Sequence, residues 1–236
     1  MSNEKFYDAL SGAYDHLREH PYHQFVEQRE LEILKPLCAG KDVLEIGCGT
    51  GRIMEQLAPF CHSIQGIDAS SRMVEEARGK GLEVVEARAE KLPFETAFFD
   101  LVVALKVLPH VLDRRRAMSE ISRVLKPKGY AAVEFYNRYS IRGMVSTVRN
   151  FLPERLLKRE APFTRYQTRS EFLDEVPDNL QLLAEKGIRV AIPFASLMEK
   201  PDLAKRLENF EDRLTNSPAR QLGGFMLMIF RKRIDK

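Results

Sequence analysis

Apolar residues recur at helical spacing across positions 6–37, with Leu10, Tyr14 and Leu17 in one stripe and Phe25, Leu31 and Leu34 in another. Pro21 lies between the stripes, and a proline interrupts a helix interior, so two helices are predicted. The period then changes. Residues 43–46, 64–67, 84–86 and 99–104 are short apolar runs of the kind that form strands covered on both faces. Helical stretches separate them. One runs from about 51 to 58 and stops at Pro59; the next spans 73–79, with Ser70 or Ser71 as its cap and Gly79-Lys80-Gly81 at its end. A third, 114–125, turns Met118, Ile121 and Leu125 inward, and Pro127-Lys128-Gly129 then leads into a fifth strand at 130–135. Strands alternating with helices predict an α/β fold around a parallel sheet.

Past residue 136 this alternation gives way to a basic stretch carrying Tyr139, Phe151, Phe163 and Tyr166. Helices are predicted at 141–151 and 170–176, the second capped by Ser170 with Glu171 in its first turn. The stretch reads as a cap inserted after strand five. Closing strands are expected at 188–193 and 225–230, with a polar helix between them from 202 to about 215.

Composition narrows the class. With 236 residues, 44% hydrophobic and 30% charged, the chain has room for one α/β domain with an insertion. No apolar run approaches the ~20 residues that span a bilayer, and the first residues lack a basic start and an apolar stretch, so a cytoplasmic protein is expected. Cys38, Cys48 and Cys61 are odd in number and lack metal-ligand spacing, which fits reduced thiols and no metal site. The net charge of +3 is regional: residues 138–170 hold seven Arg and one Lys against two Glu.

Candidate chemistry centres on V-L-E-I-G-C-G-T-G-R-I, residues 43–53, where glycines 47, 49 and 51 turn a strand into a helix. Such a turn opens a cleft at the carboxyl end of the sheet and is expected to face it with backbone N–H groups. The spacing differs from the dinucleotide fingerprint, and Glu45 would repel phosphate while suiting an ammonium or sulfonium. Cys48, inside the turn, reads either as a reactive thiol or as a small packed residue. Asp68 ends the second strand about 20 residues on, where an acid accepts ribose hydroxyls. The two features together describe a nucleoside pocket.

The segments E-I-G-C-G-T-G, G-I-D-A-S, L-P-F, F-D-L-V-V-A and L-K-P-K-G, in this order, resemble the class I S-adenosylmethionine-dependent methyltransferases, and within them the small-molecule and lipid (methyltransferase type 11-like) branch. The resemblance covers residues 6–135, with weaker echoes to the C-terminus. It implies a Rossmann-like, doubly wound, seven-stranded sheet, mostly parallel with one antiparallel edge strand. It also implies a single domain, 1–236, with an N-terminal helical lid at 1–37 and the cap at about 136–185. S-adenosyl-L-methionine is the implied cofactor, held by Tyr14, Glu45, Gly47, Cys48, Gly49, Gly51, Asp68, Ala69, Met73, Arg88, Ala89, Glu90 and Leu105. Tyr14 either covers the cofactor or packs on the sheet. Arg88 replaces the acid that related proteins place near the adenine, leaving the Ala89 backbone or Glu90 to receive it.

His110 is the candidate general base, or else a half-buried histidine bonded to backbone. Tyr136 is the second catalytic candidate. Asn137, Arg138, Arg142, Arg165, Tyr166 and Arg169 are the candidate acceptor contacts, unless the arginines pair with acids such as Glu171 and Glu211. The expected activity is methyl transfer to a small or lipid-linked, anionic acceptor. A cofactor-binding regulatory protein and an RNA or protein methyltransferase are the competing readings; the absence of an Asn/Asp-Pro-Pro-Tyr-type motif argues against nucleic acid.

Overall fold

A computed structural model describes residues 2–149, 163–192 and 194–234. Its strands are β1 (Asp42–Ile46), β2 (Ser63–Asp68), β3 (Val84–Glu86), β4 (Phe99–Ala104), β5 (Leu125–Asn137), β6 (Tyr166–Gln167), β7 (Leu180–Ile188) and β8 (Phe225–Lys232). They form one sheet in the order β3-β2-β1-β4-β5-β8-β7, with β6 added to the end of β5. Pairing is parallel from β3 through to β5, and β8 runs antiparallel to both of its neighbours. This is the expected Rossmann-like sheet, with eight strands in place of seven. The reversed strand lies one place inside the edge, because β7 pairs outside it.

The helices are α1 (Asn3–Arg18), α2 (Pro21–Cys38), α3 (Arg52–Leu57), α4 (Ser71–Gly79), α5 (Arg114–Val124), α6 (Ile141–Arg149), α7 (Arg169–Leu173) and α8 (Pro201–Leu214). Pro21 opens α2, where its missing N–H has no helical partner to lose. Strand alternation assigns the two faces. Leu44, Val102, Ala131 and Val133 pack with Met118 and Ile121 of α5 and Phe172 of α7, whereas Val43, Leu101, Val103 and Ala132 pack with Phe25, Leu31 and Leu34 of α2.

Two predicted elements move. The strand expected at 188–193 lies earlier, as β7, because Arg189 takes φ 64° and turns the chain, and the next two N–H groups donate to Glu211 of α8 at 2.8 and 2.7 Å. The helix expected at 170–176 begins at Arg169, since Thr168 rather than Ser170 is the cap and forms a reciprocal capping box with Glu171. Phe151 and the expected end of the preceding helix lie outside the described residues.

Phe172 stacks on Phe135 at 4.8 Å between centroids and is fully buried, which fixes α7 to the sheet. Phe172→Ala is therefore expected to lower the unfolding free energy by ~3–5 kcal/mol in urea titration, whereas Leu183→Ala, at a position 49% exposed, shifts it by under about 0.5 kcal/mol.

Candidate active site

The carboxyl ends of β1, β2, β4 and β5 border a cleft of about 1200 Å³, its open mouth included. Its near wall is the glycine turn. Gly47 and Cys48 donate their N–H groups to the Ile67 carbonyl at 2.8 and 3.0 Å, Gly49 donates to Asp68 Oδ2 at 2.8 Å, and Gly51 donates to Cys48. The expectation that these N–H groups face the cleft is thus corrected: they clasp β1 to β2. What the turn presents is bare backbone. Gly47 has φ 72°, and a methyl there would stand 2.5 Å from Val107 Cγ2. Asp68 also accepts from Ser70 N at 2.9 Å, and burial raises its pKa while these N–H donors oppose the rise.

Helix α1 roofs the cleft. Tyr14 and Arg18 line it one turn apart, with an Arg18 Nη donating to the Tyr14 hydroxyl at 2.7 Å. Polar contacts along the rim hold the helix: Asp8 accepts from Ser70 Oγ at 2.6 Å, Asp15 from Thr50 Oγ1 at 2.5 Å and Lys80 Nζ at 2.7 Å, and Glu4 pairs with Arg88.

The floor is built from buried ionisable side chains. Glu45 is 3% exposed, one of its oxygens has no hydrogen-bond partner, and burial raises its pKa well above the ordinary value. Lys106, at φ 56°, pairs with the fully buried Glu30 of α2, and Glu134 of β5 lies buried beside that pair. Burial, with Glu30 nearby, also holds Glu134 well above the ordinary glutamate range. Cys48 belongs to the same environment: burial and then Glu45 raise its thiol pKa, so it is a packed residue and not a reactive one.

At the far end stands His110. Its Nδ1 lies 2.7 Å from the Phe163 carbonyl, which only accepts, so Nδ1 carries the proton and Nε2 offers its lone pair. The Tyr7 hydroxyl donates to that Nε2 at 3.3 Å. Burial lowers the His110 pKa and keeps the ring neutral, and it raises that of Tyr7. Tyr136 packs edge-on to the same imidazole at 5.8 Å.

Of the thirteen residues assigned to the cofactor from sequence, all but Gly51 border this cleft, as do His110 and Tyr136. Gly51 works from behind, since at φ 83° it starts α3 with Leu82 packed where a side chain would be. Arg88 turns outward to Glu4 and Glu90, while Ala89 is buried.

The candidate acceptor residues do not border the cleft. Asn137 is buried and donates to the Gln221 and Gly223 carbonyls; Arg138 pairs with Glu171 at 2.8 Å, Arg169 with Glu185 at 2.5 Å and Arg165 with Glu175 at 3.8 Å. Tyr166 leans on Tyr136 from behind. Arg142 differs. It is exposed and without a carboxylate partner among the described residues, yet close enough to His23 to help depress its pKa to about 4, after burial and alongside Arg18 and Lys106.

Tyr7, Arg18 and Lys106 escaped the sequence reading. Tyr7 and Arg18 share the α1 face of Tyr14 at helical spacing, and Lys106 is a lone charge in the apolar run A-L-K-V-L. Those were the available signals.

A family profile described as a methyltransferase domain matches residues 44–133. An uncharacterised protein of Methanocaldococcus jannaschii is 32% identical over 218 residues, covering 87% of this chain and 83% of that protein. A probable S-adenosylmethionine-dependent methyltransferase of Mycobacterium tuberculosis is 31% identical over 183 residues, covering 77% of this chain but only 59% of that relative's length. Among solved structures, a Thermotoga maritima protein described as a SAM-dependent methyltransferase, possible histamine N-methyltransferase, is similar in fold with a TM-score of 0.71 at 23% identity, covering 96% of this chain and 98% of that one.

The buried carboxyl under the floor generates a pH test. The folded-state pKa of Glu134 is above its ordinary value of 4.5, so the folded protein holds a proton that the unfolded chain releases, and stability falls as pH rises above 4.5. The limiting slope is about 1.4 kcal/mol per pH unit for one proton. Glu134→Gln, which keeps the shape and removes the ionisation, should gain melting temperature relative to the parent at pH 8 and little at pH 4. An equal difference at both pH values would refute the assignment.

Proposed function

Because the chain belongs to the class I S-adenosylmethionine-dependent methyltransferases, we propose that it moves the methyl group to a hydroxyl of a small or lipid-linked anionic acceptor, with His110 as general base. The observation that carries this is the His110 tautomer: Phe163 holds the Nδ1 proton, and among the described residues the Nε2 lone pair has only the Tyr7 hydroxyl on it.

The residues present fit the cofactor. Glu45 has an orphaned buried oxygen at the methionine end, suited to an ammonium, and the Gly47–Val107 approach leaves no room for a side chain between ligand and turn. In this reading Asp68 receives the ribose hydroxyls, the Ala87 to Glu90 turn the adenine, and Arg18, which has no carboxylate partner among the described residues, the cofactor carboxylate. S-adenosylmethionine supplies an activated methyl group on a sulfonium, whose sulfur leaves as a neutral thioether. The protein's share is alignment and proton removal. Tyr136 and Leu105 wall the reacting centre against water, pre-positioning that can lower a barrier by ~7–11 kcal/mol. An acceptor hydroxyl taking the place of the Tyr7 hydroxyl on Nε2 would give its proton to that nitrogen. Arg142, beyond the cleft lining on the Tyr136 side, receives the acceptor's anionic group in this reading.

His110→Gln is expected to reduce kcat by ~10²–10⁴-fold while leaving cofactor affinity unchanged in calorimetry. Because burial holds the His110 pKa below its ordinary 6.5, kcat/KM should be flat above that pH and fall only on the acid side. A variant with full activity across the pH range would remove His110 from the reaction. Asp68→Ala should weaken cofactor binding by ~1.5–3 kcal/mol, and Arg142→Ala should raise the acceptor KM without touching cofactor affinity.

A further inference from the structure

Helix α6 is oriented the opposite way from an ordinary helix of a globular protein. At about 100° per residue, Ile141, Met144 and Val145 share one face, and Gly143 lies on the other. Gly143 is the side that meets the body of the protein: it is buried, and a methyl there would stand 2.6 Å from the Arg138 carbonyl. The apolar face consequently points away from the body, with Ile141 45%, Met144 49% and Val145 61% exposed. Tyr139, on the chain just before the helix, and Phe163, beside His110, are also exposed apolar residues, at 58% and 48%. Phe163 is anchored there, since its carbonyl accepts from His110 and its N–H donates to Asn3 Oδ1 at 2.7 Å.

Charge selects the partner. Helix α6 contains no acidic residue, and Arg142 borders its apolar face without a carboxylate partner among the described residues. Arg138, Arg165 and Arg169 are taken up by Glu171, Glu175 and Glu185, but residues 141–162 of the sequence still carry five basic residues against two acidic ones. An exposed apolar stripe bordered by cations is the pattern of a helix that lies in the headgroup region of a bilayer, its apolar side chains inserted and its cations on lipid phosphates. We infer that the α6 face, with Tyr139 and Phe163, docks the protein on an anionic phospholipid surface. The inference goes beyond the proposed reaction and does not require it; docking there would bring the His110 end of the cleft, which Phe163 adjoins, toward the membrane.

The test uses the full chain and vesicles of phosphatidylglycerol mixed with phosphatidylcholine, compared with phosphatidylcholine alone. Sedimentation should show at least about tenfold stronger partition onto the anionic vesicles, with each bordering basic residue contributing about fivefold. Met144→Glu and Val145→Glu should each reduce that partition about tenfold or more, and Leu183→Glu on edge strand β7 should not. These positions are exposed, so melting temperatures should stay within about 2 °C of the parent. The chain has no tryptophan, so Val145→Trp places a single reporter on the face. Its emission should shift to the blue with anionic vesicles, and that of Leu183→Trp should not. The inference is overturned if the parent does not sediment with anionic vesicles, if the two glutamate variants bind as the parent does, or if the Val145→Trp emission is unmoved. A gel shift with RNA, or a dimer, abolished by Met144→Glu in the absence of vesicle binding would assign the face to RNA or to a second copy instead.

Discussion

Gly47 and Cys48 donate to the Ile67 carbonyl, and Gly49 donates to Asp68, so β1 and β2 stay tied together beyond the end of their ladder. That clasp fixes the position of nearly everything above it. It brings Tyr14 over the turn, within van der Waals distance of where a Gly49 side chain would stand, and sets Asp68 with lone pairs to spare beside Ser70. It also explains why the turn tolerates no side chain at Gly47, where Val107, from the loop after β4, closes from the opposite wall. These hydrogen bonds join the ends of β1 and β2, and the close approach of Val107 brings the loop after β4 to the same rim.

Beneath the rim the protein keeps Glu30, Glu45 and Glu134 out of water with Lys106 among them. Desolvating charges costs several kcal/mol each, so such a group is poor evidence for stability unless some of its carboxyls hold protons. Burial raises the pKa of all three acids, which is how the cluster avoids excess negative charge. Lys106 is needed for a geometric reason as well. Its pairing with Glu30 holds α2 against the loop that carries Leu105, Val107 and His110, so the wall of the reacting end is positioned by an ion pair one layer below it.

From β1 to β4 the fold was legible because each element is announced locally, by an apolar run, a glycine turn or the Ser70 cap. The cofactor side of the site was legible for the same reason, since its residues sit at the ends of those runs. β7 was not: as an edge strand it carries Gln181, Glu185 and Lys186, and its charges hide the alternation. The arginines of the cap illustrate a different limit. Their sequence gives a charge count, but Glu171, Glu175 and Glu185, which absorb three of them, become neighbours only through β6 and β7. Tyr7 and Lys106 belong to the same class, since their roles depend on His110 and Glu30, which are 103 and 76 residues away.

The two N-terminal helices are held by different forces. Helix α2 buries eight residues, including Phe25, Leu31 and Leu34, and carries both Glu27, paired to Arg52, and Glu30. Helix α1 buries only Ser11 and is held mainly by the polar contacts of Asn3, Glu4, Asp8 and Asp15 along the rim. Exposed pairs of that kind contribute ~0–1 kcal/mol each, and salt screens them further, whereas removing α2 would expose its apolar face and strand the buried Glu30–Lys106 pair. The two helices meet just before Pro21, where the chain leaves one and begins the next within a few residues. The contacts that roof the cleft, from Tyr7, Tyr14 and Arg18, therefore sit on a different helix from the apolar face that builds the core.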